Sequence, residues 1–441
     1  MSDTTPAPPA AWPLVTLFTA GYVAPYLLPT VVGRLDAHLP LSPAQAGLVG
    51  TALLLGSATA GFTLASRIPR RGPRPLARLG LLLAVLGYGT AASTSLLPLV
   101  VAGVVVGGFG SGSATAVAAA GIAGHRDPHR MSSLGLLSVS ATAGALYLTL
   151  PHLGGGHGLP FAAIALVAAL AWPAAGRLGG PTRSGPAAVR SSGRPPYPRA
   201  GAVLAGCLLL WSLTQEALWG VSGRIGAEQA GLSEATLGVV FAVALGAGLL
   251  GVTGASAFGT RLGRPVPIGA GTAAIAGCVV LTASADGLAG FAAGEILWNA
   301  VYPVVLSYVI GLAAALDPRG RWAVFAGAAS SLGTACGPVV GSLLAEAFGL
   351  PGMGLVLGGL LLAVAGPLTA VAVHAGRGPV AAAGATAGEP VLRGEVPAPA
   401  PGPGTGPAAD APVRVRRTPR RILLLTPTAA RTRRAAAKDR L

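Results

Sequence analysis

Long apolar segments separated by short polar stretches follow one another from residue 12 to residue 374. The hydrocarbon core of a bilayer is about 30 Å thick, so a helix needs about 20 apolar residues to cross it. The pattern therefore predicts an all-α membrane protein. Its twelve expected transmembrane helices are at residues 12–33, 44–65, 76–95, 98–121, 131–151, 159–176, 200–222, 235–257, 266–284, 287–315, 322–346 and 351–374.

The basic residues fall almost entirely in alternate connections between these segments. Of the 30 Lys and Arg residues, only Arg34 and Arg224 lie in connections on one side. Because cytoplasmic loops are enriched in Lys and Arg, this distribution predicts that both termini are cytoplasmic. Residues 1–11 form a short N-terminal cytoplasmic segment without Lys or Arg, which argues against a cleaved signal, so the first helix is expected to remain.

Two short patterns occur twice in the chain. The sequence Leu-Ser-x-Ala-x-x-Gly-x-Val begins at Leu41 and again at Leu232, and Asp127-Pro128 recurs as Asp317-Pro318. The first copy contains Ser42-Pro43-Ala44-Gln45, a capping box that marks a helix start. These repeats predict two six-helix halves, at 12–176 and 200–374, joined by a cytoplasmic linker at 177–199 that is rich in Gly, Pro and Arg.

The composition excludes several classes of protein. Hydrophobic residues make up 52% of the chain and charged residues only 10%, far from the roughly 25% charge of soluble domains. The formal charge of +16 comes from loops and the tail rather than from one folded basic surface, so no nucleic acid partner is expected. Cys207, Cys278 and Cys336 lie within apolar segments and predict neither disulfides nor a metal site.

Residues 375–441 lose the apolar pattern and are rich in Pro, Ala, Gly and Arg, which predicts a disordered basic cytoplasmic tail. Arg414, Arg416, Arg417, Arg420 and Arg421 flank a short apolar run and are candidates for binding anionic lipid. The alternative is a solvated tail whose arginines partly reflect coding bias, since the chain has a single lysine.

Two six-helix repeats with cytoplasmic termini and basic loops after the second and eighth helices resemble the major facilitator superfamily (MFS). Its loop motif reads approximately G-x-L-A-D-R-x-G-R-R, and similar residues occur at 64–71 and 260–265, with Ser66 and Thr260 at the acidic position. The resemblance implies that the loops hold the two halves together on the cytoplasmic side in one state. The residues concerned are Arg67, Arg70, Arg71, Arg261, Gly263 and Arg264.

A second motif resembles one found in drug-exporting members of the superfamily, G-x-x-x-G-P-x-x-G-G. It lies in the eleventh predicted helix rather than the fifth, and consists here of Gly333, Gly337, Pro338 and Gly341. Small residues let helices approach closely, and a proline within a helix bends it. In the fourth helix, Val104 stands where many members carry an Arg before a glycine run, so no coupling role is carried over to it.

Two acidic residues, Glu216 and Glu295, lie well inside predicted helices 7 and 10. Charges inside a membrane are costly, so each is a functional candidate. The resemblance places helices 1, 4, 7 and 10 around a central cavity. Its expected binding residues are Tyr22, Tyr26, Gln215, Trp219, Trp298, Asn299 and Tyr302.

We expect the two acids to bind protons or a cationic group of a substrate. In the alternative interpretation, Glu216 reaches the outer interface, Glu295 is a hydrogen-bonded structural acid, and the tyrosines serve packing or an interfacial belt. Asp36 and Glu346, at outer helix ends, are expected to be solvated.

No Lys, Arg or His lies within a predicted span next to these acids, which disfavours strongly anionic substrates. The expected function is secondary active transport by alternating access, with proton-coupled efflux of a lipophilic neutral or cationic small molecule. The alternatives are uptake of a neutral nutrient and a non-transporting membrane scaffold.

An enzyme is not expected, because the outer connections are short and carry no catalytic constellation, and an ATP-driven pump is disfavoured by the lack of a Walker sequence. No cofactor is expected, and a proton gradient would supply the energy. The remaining expectations are a lipid bilayer as partner, a monomer as the favoured state and the bacterial cytoplasmic membrane as location.

Overall fold

The structure, a computed structural model, describes residues 11–64, 67–154, 156–178, 196–258, 263–317 and 319–377. Arg261, most of the predicted linker, residues 1–10 and the tail beyond residue 377 lie outside the described residues. The predictions of a disordered, lipid-binding tail therefore remain predictions.

The described residues are almost entirely helical and include no strand. The helices are α1 (Trp12–Tyr26), α2 (Leu28–His38), α3 (Pro43–Leu64), α4 (Ile68–Arg71), α5 (Pro73–Ser93), α6 (Leu97–Ala123), α7 (Pro128–Thr149), α8 (Gly158–Leu170), α9 (Trp172–Gly176), α10 (Pro198–Arg224), α11 (Glu234–Phe258), α12 (Pro265–Ala283), α13 (Leu288–Leu316) and α14 (Arg321–Arg377).

Ten helical segments in the described part of the chain are long and apolar enough to cross a membrane. Helices α1 and α2 add an eleventh if they form one span bent by 44°. Helix α14 contains a break at Gly349, whose φ of 70° is not helical, and this break divides it into two segments. The all-helical architecture and a number of spans close to twelve are thus as predicted, while the twofold repeat and the sidedness remain predictions.

Two helical segments extend beyond the ends that the hydropathy pattern predicts. The first span was expected to end at residue 33, but α2 continues to His38. The seventh was expected to end at residue 222, but α10 reaches Arg224 and a π-helical turn follows at Ile225–Gln229. Hydropathy stops at the first charged residue, whereas Arg34 and Arg224 are held inside the fold by the contacts described below.

Both copies of the repeated Leu-Ser pattern begin a helix. At α3 the Ser42 N–H donates to Gln45 Oε1 (2.9 Å) and the Gln45 N–H donates to Ser42 Oγ (3.3 Å), which confirms the predicted capping box. At α11 the Thr236 N–H donates to Ser233 Oγ (3.2 Å). The serine satisfies a main-chain donor that the first helical turn leaves unpaired.

Both Asp-Pro pairs also precede a helix. Asp127 Oδ1 accepts a hydrogen bond from the Arg130 N–H (3.0 Å) at the start of α7. Asp317, which is 2% exposed, accepts from the Arg319 N–H (3.0 Å) and from Arg321 Nε (2.8 Å) before α14. Burial alone raises the pKa of the Asp317 carboxyl, but these bonds and the charge of Arg321 outweigh it and lower the pKa below its ordinary value.

Asp317→Asn is expected to lower the stability of the purified protein at neutral pH by about 1–3 kcal/mol, since hydrogen bonds to an ionised group are lost. A carboxyl whose pKa is lower in the folded state stabilises the fold above its unfolded pKa and loses that contribution as the pH falls through its folded pKa. Thermal unfolding should therefore separate the two proteins at pH 7, and the difference should shrink below pH 4. A constant difference across this range would contradict the assignment.

The glycine motif of α14 packs directly against α10. A Cβ atom added at Gly333 would meet the main chain of Leu209, and one added at Gly341 would meet only main-chain atoms of Ala217. Helices approach this closely where glycines provide room for a neighbouring backbone. The predicted close packing is therefore present. Pro338 lies within the helical part of α14 that precedes the break at Gly349, and its predicted bend remains a prediction.

Gly341→Ala is expected to destabilise the protein by about 1–3 kcal/mol, because the new methyl group has only main chain to displace. Gly359 on the same helix is a matched control, since a Cβ there meets nothing within 4 Å. Gly359→Ala should be neutral or slightly stabilising, given that alanine is the better helix former. Equal effects of the two substitutions on the thermal unfolding midpoint would show that α10 and α14 are not packed as described.

The most extensive contacts between the sequence-predicted halves are made by three pairs of helices: α2 packs against α10, α7 against α11, and α3 against α14. Two hydrogen bonds join α3 and α14: the Val339 N–H donates to Thr51 Oγ1 (3.2 Å) and the Ala44 N–H donates to Glu346 Oε1 (2.8 Å). Helices α7, α10, α11 and α14 of these pairs, together with α1 and α13, surround a cavity in the middle of the described helices.

Candidate functional site

A cavity of about 170 Å³ lies between α1, α7, α10, α11, α13 and α14; we call it the central cavity. The structure places all seven residues predicted for the cavity in its wall, namely Tyr22, Tyr26, Gln215, Trp219, Trp298, Asn299 and Tyr302. Their role in binding remains a prediction. Helices α7 and α11 also line the cavity, which the sequence did not predict; they supply Leu136, Ser140, Leu245, Gly248, Leu249 and Val252. The charged residues of these two helices lie in their first turns, so no charge marks the parts that line the cavity.

Glu216 is the one acidic residue in the described wall of the central cavity. It is partly buried and forms no hydrogen bond or ion pair with any described residue. Helix α10 continues to Arg224, eight residues beyond it, or about 12 Å at 1.5 Å per residue. This position is deeper than expected from the sequence and does not match a side chain that extends to the outer interface.

Glu295 lies elsewhere, behind the described wall of the central cavity. It is fully buried, and its Oε1 accepts a hydrogen bond of 2.5 Å from Ser222 Oγ on α10. Asn299 Nδ2 donates to its main-chain oxygen (2.9 Å). The two acids are therefore not brought together in one cavity wall, and the position of Glu295 is that of the alternative interpretation, a hydrogen-bonded acid within the helix packing.

Three aromatic residues of α10 and α13 line the central cavity: Trp219, Trp298 and Tyr302. Trp219 and Trp298 have ring centroids 5.7 Å apart, and Tyr302 stacks on Trp211 at 5.0 Å. The Trp298 Nε1–H group donates to Gln215 Oε1, and Ser212 Oγ bonds to Ser330 Oγ (2.6 Å) between α10 and α14. The wall is therefore apolar and aromatic, with a few fixed polar atoms.

Tyr147, Trp219 and Phe241 form a layer of rings that we call the aromatic partition. Phe241 lies 5.0 Å from Tyr147 and 5.4 Å from Trp219, measured between ring centroids. Trp219 Nε1 donates to the Pro25 carbonyl (3.1 Å), and the Tyr147 hydroxyl donates to the Tyr26 carbonyl (2.6 Å). The sequence explains the first bond, because Pro29 has no N–H to donate to the Pro25 carbonyl four residues earlier.

A second cavity of about 320 Å³ lies beyond this partition, at the end of the bundle where the arginine distribution predicts the outside; we call this end the outer end. Tyr147 and Phe241 line the second cavity, whereas Trp219 lines the central one. The partition therefore separates the two cavities.

Five charged residues border the second cavity and constitute what we call the outer charge cluster: Arg34, Asp36, Arg224, Glu228 and Glu234. Arg34 is 3% exposed and pairs with Glu234 Oε2 at 2.9 Å. Arg224 lies 3.3 Å from Asp36 and 3.3 Å from Glu228. The expectation that Asp36 is solvated is thus wrong, since it pairs with Arg224, and Arg34 lies inside a helix rather than in an outer connection.

Three carbonyl groups complete the surroundings of Arg34. Its guanidinium donates to Leu150 O (3.2 Å), Gly154 O (3.2 Å) and Gly156 O (3.3 Å). Gly154 and Gly156 have φ values of 107° and 114°, a conformation that side-chain-bearing residues rarely adopt. The connection after α7 is therefore shaped to present its carbonyls to a buried cation from α2.

The loop arginines lie at the opposite end of the bundle. Arg67, Arg70 and Arg71 are exposed on or next to α4, and Arg264 is exposed before α12, where Gly263 has a φ of 63°. None of these arginines makes an ion pair with another described residue. Their predicted gating role remains a prediction, and Arg261 lies outside the described residues.

No protein-family model matches the sequence, and no curated protein sequence matches it. Solved structures do match. The human organic anion transporter MFSD10 (TETRAN) has a TM-score of 0.59 and 18% identity, over 82% of this chain and 100% of that chain. The nucleoside transporter NupG has a TM-score of 0.64 and 12% identity, over 82% and 99% of the two chains.

FucP, an MFS transporter in the outward conformation, has a TM-score of 0.56 and 15% identity, over 83% of this chain and 99% of that chain. At these identities the likeness concerns the fold. The chain therefore has the fold of MFS transporters, which agrees with the resemblance found in its sequence, and it is a multi-pass membrane protein.

Proposed function

We propose that this protein is a proton-coupled secondary transporter that exports a lipophilic neutral or cationic small molecule by alternating access. The observation that carries this proposal is Glu216, an acidic side chain in an aromatic cavity with no partner among the described residues. An acid that meets water in one conformation and a dry wall or a cationic ligand in another can bind and release a proton in each cycle.

The character of the cavity wall supports the substrate class. Its described residues include no Lys, Arg or His, while Trp219, Trp298 and Tyr302 offer aromatic faces. Aromatic faces attract cations and pack against apolar rings. One structural neighbour is named as an organic anion transporter, but a cavity with an acid and no basic side chain disfavours an anion.

The contacts between helices near the outer end support alternating access. The aromatic partition and the outer charge cluster lie between the central cavity and that end. Both connect helices of different sequence-predicted halves, since Trp219 bonds to Pro25 and Arg34 pairs with Glu234. Opening of the outer end would require these bonds to break together, and their re-formation would close it.

Glu295 has a second place in the proposal. Its bond to Ser222 links α13 to α10, the helix that carries Glu216. A change in the protonation of Glu295 would weaken or strengthen that link, so Glu295 is the candidate for coupling the positions of these two helices. It does not reach the substrate in this conformation, because it does not line the described central cavity.

The proposal is tested with purified protein in proteoliposomes that carry an imposed pH gradient and an internal pH dye. Tetraphenylphosphonium, ethidium and neutral aromatic compounds are added one at a time, and protein-free liposomes report passive leakage. We expect at least one compound to dissipate the gradient only when the protein is present. Uptake of a compound without proton movement would exclude proton coupling, and uptake only along the direction of the proton gradient would favour the nutrient-uptake alternative.

A further inference from the structure

Gln215 and Asn299 are two amides in the wall of the central cavity, and their bonding differs. The Asn299 amide nitrogen donates to the main-chain oxygen of Glu295, one turn earlier on its own helix. The Gln215 amide nitrogen, Nε2, is buried and has no hydrogen-bond partner among the described residues. Gln215 is 3% exposed overall.

The orientation of the Gln215 amide follows from its neighbour. The Trp298 indole N–H can only donate, so it requires an acceptor, and Gln215 Oε1 is the acceptor it meets. A reversed amide would place a donor against this donor. The oxygen is therefore held by Trp298, and the two N–H groups of Nε2 are the part of the side chain left to bind something else.

Leaving a buried donor unsatisfied is unfavourable, whereas a ligand oxygen in the cavity would satisfy it. Glu216 follows Gln215 in the sequence and lines the same cavity, as do the rings of Trp219 and Tyr302. The same wall thus combines the amide of Gln215, an anionic group and aromatic faces. A molecule that complements it carries an acceptor oxygen, a cationic group and an aromatic ring.

Resting on the proposed function, we propose that Gln215 is a specificity-determining residue whose Nε2 group donates a hydrogen bond to a carbonyl-type oxygen of the transported molecule. The substrate class is then an aromatic organic cation that bears a hydrogen-bond acceptor. Trp298 is the positioning residue, since it fixes the direction in which the Gln215 amide points.

The test uses two cations that differ in one group. Trimethyl(2-oxo-2-phenylethyl)ammonium has a carbonyl where trimethyl(2-phenylethyl)ammonium has a methylene. Binding of each to the purified protein is followed by tryptophan fluorescence, independently of transport. We expect the ratio of the affinities for the ketone and for its methylene analogue to be about tenfold higher in the wild-type protein than in Gln215→Glu. The variant keeps an acceptor for Trp298 but loses the Nε2 donor.

Gln45→Glu is the matched control, being the same amide-to-acid change at an amide outside both cavities. Gln45 Oε1 accepts a hydrogen bond from the Ser42 N–H at the start of α3, and a glutamate can accept the same bond. It should keep the preference of the wild-type protein. Any general gain in cation affinity from the added acid affects both compounds, so the ratio of the two affinities isolates the acceptor oxygen. Gln215→Met, which adds no charge, should lose the preference as Gln215→Glu does.

An equal loss of preference in Gln45→Glu, or an unchanged ratio in both Gln215 variants, would overturn the proposal. Failure of both compounds to bind the wild-type protein would also overturn it, since the class would then be wrong. The proposed function fails separately: binding with the expected ratio but without proton flux would leave Gln215 as a recognition residue in a carrier that is not proton-coupled.

Discussion

Glu216→Gln is expected to reduce compound-dependent proton flux to the level of protein-free liposomes, a loss of at least tenfold. The substitution keeps the size and the polarity of the side chain but removes its ability to exchange a proton. Because Glu216 has no bonding partner among the described residues, no ion pair or hydrogen bond of the fold is lost with it. The variant should therefore fold normally and fail in coupling.

A selective outcome is expected in the transport assay. Downhill exchange of a neutral compound should survive in Glu216→Gln, whereas uphill export driven by the pH gradient should not. Glu295→Gln should retain more flux than Glu216→Gln, because Glu295 lies behind the cavity wall and a glutamine can still accept the bond from Ser222.

Glu346→Gln is a suitable control for these measurements. Glu346 is an exposed acid at the outer end, and its Oε1 accepts a bond from the Ala44 N–H that glutamine can also accept. It should transport as the wild-type protein does. Full proton coupling in Glu216→Gln would remove this acid from the mechanism and, with it, the observation on which the proposed function depends.

The second large effect is expected at Arg34. Arg34→Met removes a buried cation that Glu234 and three carbonyl groups surround. Glu234 is 53% exposed, so its ion pair contributes at most about 1 kcal/mol, whereas the loss of the charged donor to the carbonyl groups costs about 1.5–3 kcal/mol. Every 1.4 kcal/mol corresponds to about a tenfold change in an equilibrium. We expect the closed outer end to be destabilised and the open one to become populated.

A cysteine at Leu237 would report this opening. Leu237 lines the second cavity and is 6% exposed, so Leu237→Cys should react slowly with a membrane-impermeant maleimide while the outer end is closed. With the native Cys207, Cys278 and Cys336 replaced by alanine, adding Arg34→Met should raise the labelling rate at least tenfold. A thermal unfolding curve of each variant verifies that the labelling rate is measured on folded protein.

Glu228→Gln provides the comparison within the same cluster. Its carboxylate pairs with Arg224 but is 54% exposed, and exposed ion pairs contribute at most about 1 kcal/mol. Labelling of Leu237→Cys should then rise only slightly. Equal rates in the Arg34 and Glu228 variants, or no change in either, would show that Arg34 does not hold the outer end closed.

The wall of the central cavity could be predicted largely from residue type. Tyr22, Trp219 and Tyr302 were candidates because aromatic and polar side chains are uncommon among the Gly, Ala, Val and Leu of this chain, and the resemblance to the MFS assigned their helices to a cavity. The contribution of α11 could not be predicted in this way. Leu245, Gly248 and Val252 differ in no chemical respect from residues that face lipid.

The different surroundings of the two acids could not be predicted from the sequence either. Glu216 and Glu295 occupy similar depths along their helices and carry the same chemistry, so sequence reasoning treated them alike. The angular position of each side chain and the identity of its neighbour separate them, since one lines the cavity and the other bonds to Ser222. A shift of one or two residues along a helix moves a side chain by 100° or 200° around its axis, which hydropathy does not register.

What the sequence by itself determined is the membrane-embedded, all-helical architecture, the starts of α3 and α11, and the close contact made by the glycines of α14. Each depends on local chemistry, namely apolar length, capping side chains and the absence of a side chain. Only the tertiary structure decided that Arg34 is buried, that Tyr147, Trp219 and Phe241 separate two cavities, and that Gln215 rather than Asn299 has an unpaired donor. These features depend on residues far apart in the sequence, whose contacts arise only when the helices pack.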